Sequence, residues 1–189
     1  MVLAGLVILT IQNMCNNSKW MTKHHKWYNA PAYKEWSKKV DTHRKRSRNI
    51  PDPHVDLCDS ERGFCSGNKQ IPRRLMPQIY NTRKFARNIR RKYGIKSHMA
   101  MVRPDSLIPS QEEIKKAVVK KIGEAMETGK YKDAPIVISK NKYVIDGHHR
   151  WAARKKYAPT KKIRALVVHK KAMDTLGIAA AEGQPRETF

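Results

Sequence analysis

Acidic side chains are scarce in this chain. Sixteen Asp and Glu stand against 40 Lys and Arg, and none occurs between Arg62 and Pro104. So little negative charge cannot neutralise the surface through ion pairs, and the formal net charge of +24 attracts polyanions. Nucleic acid is the commonest partner of such a field, and an acidic membrane surface is its rival. Also missing is any apolar run of the about 20 residues that a bilayer-spanning helix needs, so no transmembrane segment is expected. The apolar stretch Met1–Ile11 has no basic region before it and no small-residue cleavage site after it, which argues against a secretory signal. A packed terminal strand and sequence preceding a start at Met14 or Met21 both remain open. A non-secreted, cytoplasmic protein is expected. There are three cysteines, an odd number, and no Cys-x-x-Cys. That excludes a disulfide framework and the paired spacing of a zinc ribbon, so His54, Cys58 and Cys65 read as loop residues and zinc is not expected.

Positive charge comes in blocks. After an apolar N-terminal segment (residues 1–17), Ser18 to Arg48 interleaves Lys and Arg with Trp20, Trp27, Tyr28, Tyr33 and Trp36. Basic groups neutralise phosphates and aromatic faces stack on exposed bases. One reading is a nucleic-acid-binding arm ordered on binding; the other is a small helical cap whose tryptophans are buried. In both, Lys38, Lys39, Arg44, Lys45 and Arg46 are candidates for backbone contact. Residues 49–70 turn to Pro, Asp, Gly, Ser and Cys, the composition of a linker or irregular loop.

From Asn81 to Tyr93 the apolar residues Phe85, Ala86, Ile89 and Tyr93 recur at helical spacing, and Gly94 supplies a stop. The other face carries Arg83, Lys84, Arg87, Arg90 and Arg91, with Arg73 and Arg74 upstream. Solvated helices normally mix signs to gain i,i+4 pairs. This one repels itself unless an anion offsets it, which points to a DNA or RNA backbone. Lys96 to Val102 reads as a strand. Ser110-Gln111-Glu112-Glu113 has the pattern of a capping box, with Ser110 as N-cap of a helix carrying Ile114, Val118 and Ile122 and ending near Gly129. Strands at Ile136–Ile145 and Ile163–Val168, a short helix from His149 to about Lys156 and a last helix from Lys170 to about Leu176 complete the pattern. The expected fold is α/β (α+β), a small mixed sheet with flanking helices over residues 71–178, and a tail at 179–189.

The most telling stretch is Ile136 to Ala153, two apolar strands around a polar turn and then Asp146-Gly147-His148-His149-Arg150-Trp151. A glycine at a strand-to-helix junction admits close approach, and the first helical amides lack internal partners. With two imidazoles and a guanidinium beside them, the junction suits phosphate.

The Asp146–Arg150 block, the strand ending at Val102-Arg103-Pro104, and Met76-Pro77-Gln78 together resemble the ParB/sulfiredoxin-like superfamily, in particular its phage-encoded ParB-like nuclease branch. The resemblance spans roughly Ile71 to Val168. It implies phosphate binding by Gly147, His148, His149 and Arg150. It further implies catalytic roles for His148, His149 and Asp146, with Asp146 also the candidate ligand of Mg2+ or Mn2+. No cysteine stands at the junction, which argues against sulfinic-acid reduction. The chain ends soon after the last strand, which argues against chromosome partitioning. A metal-dependent DNA endonuclease is therefore the first expectation, located in host cytoplasm or nucleoid if phage-encoded. A non-enzymatic DNA-binding or inhibitor protein, and a phosphotransferase using ATP or CTP, are the alternatives. Homo-oligomerisation is left open.

Overall fold

The computed structural model describes residues 26–46 and 68–182. Trp20, His54, Cys58, Cys65, the Met1–Ile11 stretch and the side chain of Arg46 lie outside the described residues, and with them the readings made of those positions.

Strands β1 (Ser97–Val102), β2 (Ile108–Pro109), β3 (Ile136–Ser139), β4 (Tyr143–Asp146) and β5 (Ile163–Val168) form one sheet in the order β1-β5-β3-β4-β2. It is mixed: β1/β5 and β3/β4 are antiparallel, while β3/β5 and β2/β4 are parallel. The central strands read as nearly continuous apolar runs because both of their faces are covered. Alternation then sorts the side chains. Val137, Ile145, Leu166 and Val168 pack in one core with helices α1 (Pro31–Arg46), α2 (Thr82–Tyr93) and α5 (Ala172–Glu182). Ile136, Ile138, Val144, Ile163 and Ala165 meet α3 (Lys116–Glu127) and α4 (His148–Tyr157) on the other face. This is the expected α/β architecture. Trp151 is a core residue, fully buried, with its indole N–H donating to the Pro104 carbonyl at 2.8 Å. Among the described residues no helix is long and apolar enough to cross a membrane.

Helix α2 follows its sequence cues. The Asn81 side chain accepts from the Lys84 amide at 2.9 Å, and Gly94 closes the helix in the left-handed region (φ 65°). Two other helices differ from expectation. The last does not stop near Leu176 with a tail from Ala179; it runs to Glu182, with Ala179 fully buried. A Cβ on Gly177 would lie 2.4 Å from the Trp27 ring and 2.8 Å from Tyr33, so this small-residue face lets the N-terminal aromatics close over the helix. Of the two readings of the basic segment, residues 26–46 adopt the cap. Trp27 is buried, and Trp36 is half-buried with its indole N–H donating to the Leu75 carbonyl at 2.7 Å. Trp27 is thereby a core side chain and not an exposed base-stacking face.

The second correction concerns Ser110. It caps nothing: α3 begins at Lys116, and Glu113 accepts from the Arg73 amide at 3.2 Å instead of reaching back. The physical reason is β2. Ile108–Pro109 pairs with β4, which draws Ser110 into the sheet edge, where its hydroxyl donates to the Val144 carbonyl at 2.6 Å.

Candidate functional site

Strand β4 delivers Asp146 to the end of the sheet, and the chain turns at Gly147 into α4. Gly147 has φ +92°, and a Cβ there would stand 2.6 Å from Ile136 Cγ2 and 2.8 Å from Arg150 Nη2. Only glycine meets both constraints. By position, the amides of His148, His149 and Arg150 have no intrahelical acceptor and carry the positive end of the helix dipole. Arg150 folds back over the glycine, and its Nη2 donates to Asp146 Oδ2 at 3.1 Å.

The two histidines are held differently from each other, and neither as a freely placed proton carrier. His148 is 3% exposed, and its Nε2 accepts from the amides of Ser110 at 3.2 Å and Gln111 at 3.3 Å. Burial, and then the neighbouring His149, push its pKa down to about 3, with the Val144 carbonyl opposing in part. The ring is thus a neutral acceptor at ordinary pH. Through these two bonds His148 fastens the segment after β2 to the start of α4. His149 is half-buried, and its Nε2 accepts from the Lys115 amide at 3.2 Å, which in the neutral ring puts the proton on Nδ1. Both imidazoles therefore anchor the 110–115 segment. Glu112 in the same segment reaches His43 of α1 at 2.8 Å, tying the N-terminal cap to the site.

Around the junction lies a recess of about 190 Å³, walled by Arg73, Gln78, Gln111, Asp146, His149 and Arg150 among others. Arg73, Arg150 and the N-terminus of α4 share this lining with one carboxylate, Asp146, an excess of basic groups whose chemistry suits an anion. Asp146 is 13% exposed at its side chain and already neutralised by Arg150. Among the described residues no three His, Cys, Asp or Glu side chains gather into a ligand set. Magnesium and manganese are commonly held by one or two carboxylates together with water and substrate phosphate, and Asp146 is the carboxylate in this lining that would hold such an ion.

The residues expected to contact nucleic acid divide in two. Arg83, Lys84, Arg87, Arg90 and Arg91 are exposed on α2, and among the described residues no carboxylate pairs with them. Lys38, Lys45 and Arg74 are also exposed. The others are engaged: Lys39 pairs with Glu35 at 2.6 Å, and Arg44 donates to the Lys69 carbonyl at 2.8 Å. Arg73 lines the recess itself. Sequence reasoning missed Ser110, Gln111 and Gln78 as parts of the site. For the first two the only signal was a capping pattern that the fold uses otherwise.

No protein-family model, no curated protein and no solved structure matches this chain.

Proposed function

We propose that this protein binds DNA along its basic face and holds one backbone phosphate at the Gly147 junction, as a resemblance to the ParB-like nucleases implies. The carrying observation is the recess at Gly147, whose lining joins Arg73 and Arg150 to the first residues of α4. It is supported by Arg83, Lys84, Arg87, Arg90 and Arg91 of α2, which pair with no carboxylate among the described residues and supply sequence-independent attraction for the strand on either side. In the hydrolytic reading, Arg73 and Arg150 stabilise charge on the phosphate, and His149 in its protonated form donates a proton to the leaving oxygen. Asp146 would orient the attacking water and accept its proton once phosphate draws Arg150 away.

The competing reading is binding without turnover. It is favoured by the engagement of both imidazoles as acceptors of backbone amides. ATP or CTP would be an alternative occupant of the same seat. The test is incubation of the full chain with supercoiled plasmid and single-stranded DNA in Mg2+, Mn2+ or EDTA, alongside His149→Ala and Asp146→Asn. Nicking by the native chain that both variants lose supports hydrolysis. An intact, salt-sensitive mobility shift without nicking leaves the binding reading. Turnover of ATP or CTP without DNA would replace both.

A further inference from the structure

The segment Met76-Pro77-Gln78 lines the Gly147 recess, but the chain does not stop there. Gln78 also walls a second recess of about 160 Å³, whose other polar lining is Tyr80, Asn81, Lys84, Asn88 and Glu182. The two hollows differ in chemistry. The first is dominated by guanidiniums and suits phosphate. The second holds side-chain amides, an aromatic ring and a carboxylate. Glu182 has a side chain only 4% exposed, pinned by the Tyr93 hydroxyl at 2.6 Å and by Lys92 at 2.9 Å. Its charge is offset by Lys92, so the recess presents chiefly side-chain amides, which both donate and accept. The Gln78 amide already donates to the Met76 carbonyl at 3.2 Å and Asn81 caps α2, so these two groups are pre-oriented. Tyr80 is 69% exposed at the rim, an aromatic face with no core to cover.

We infer that this second recess receives the base of an unpaired nucleotide whose phosphate occupies the Gly147 recess. A base and its own phosphate are joined through a single sugar, so their seats must be neighbours, and a shared wall residue meets that condition. Tyr80 stacks on the base, Asn88 meets its polar edge, and Lys84 stands where the recess meets the cationic face of α2. A paired base cannot enter such a hollow without leaving its stack. The ligand class is therefore single-stranded nucleic acid. This rests on the phosphate seat proposed above, but not on cleavage.

The experiment is fluorescence anisotropy with a short labelled DNA strand, a base-free strand of equal length built on tetrahydrofuran sugars, and the matching duplex. Proteins are the native chain, Tyr80→Ala, Asn88→Ala and Arg73→Ala. The intact strand is expected to bind the native chain about 5- to 100-fold more tightly than the base-free one, the range of one stacked base. Tyr80→Ala and Asn88→Ala should erase that ratio, whereas Arg73→Ala should weaken both strands alike and preserve it. Equal binding of intact and base-free strands overturns the inference, and plasmid nicking then still decides the hydrolytic reading. A ratio that survives in both Tyr80→Ala and Asn88→Ala overturns it for this recess. Duplex binding as tight as the strand, or a free nucleoside monophosphate competing at equal concentration, overturns the assignment to a strand. Binding of none of the three ligands overturns this inference and the DNA-binding proposal together.

Discussion

The Nε2 of His148 lies 3.2 Å from the amide of Ser110, a residue 38 positions earlier in the chain. With the Gln111 amide at 3.3 Å, this makes a buried imidazole the acceptor that fixes one wall of the recess at Gly147. Both rings line the recess, the first buried and the second half-exposed.

The ring's burial makes stability depend on pH. The pKa of His148 falls from 6.5 to about 3 on folding, so between these values the unfolded chain binds the extra proton. Stability is full above pH 6.5 and declines as pH falls toward 3, at up to about 1.4 kcal/mol per pH unit. Thermal unfolding from pH 7 to pH 4 should show a falling Tm. His148→Gln can still accept an amide but does not titrate, and it should flatten the profile. An unchanged slope in that variant would mean that the ring is not the titrating group.

Gly147→Ala should cost about 3 kcal/mol, combining left-handed backbone strain with overpacking against Ile136. The new Cβ would also press on Arg150, 2.8 Å away, and displace it from Asp146. Urea denaturation should give the lower midpoint, and phosphate-backbone affinity should drop with it.

Removing charge from α2 should move stability and binding in opposite directions. Arg83, Arg87 and Arg91 are spaced at i,i+4 without acidic relief, and such like-charge pairs cost about 0.2–0.5 kcal/mol each. Arg87→Gln should therefore raise unfolding stability by up to about 1 kcal/mol. DNA affinity should fall, and the slope of log K against log salt should shrink by about 0.7–0.9 if Arg87 meets one phosphate. Salt titrations of both proteins measure this directly.

The cap should loosen when its tether is cut. Trp36→Phe removes the donor to the Leu75 carbonyl, 2.7 Å away, and should cost about 1 kcal/mol. Amide hydrogen exchange in α1 should accelerate while that of β3 and β5 stays slow.

Much of the fold was legible in the residues. The buried strands announce themselves as apolar runs because both sheet faces are covered. Helix α2 announces itself through period, an Asn cap and a closing glycine. Gly147 could be read as indispensable because a strand running straight into a helix leaves it nowhere else to turn. Each of these cues is local, and local sterics act on neighbours in sequence.

The length of α5, the packing of Trp27 and Trp36, and the fate of Ser110 were not legible, because each depends on distant partners. Gly177 makes room for Trp27 about 150 residues away, a closeness no period encodes. By its sequence alone this chain determined a basic α/β protein with a glycine turn where β4 meets α4. Only the tertiary structure decided which way each imidazole faces. Two backbone amides brought in by β2 were left needing an acceptor, and a buried polar group must be paired where it lies.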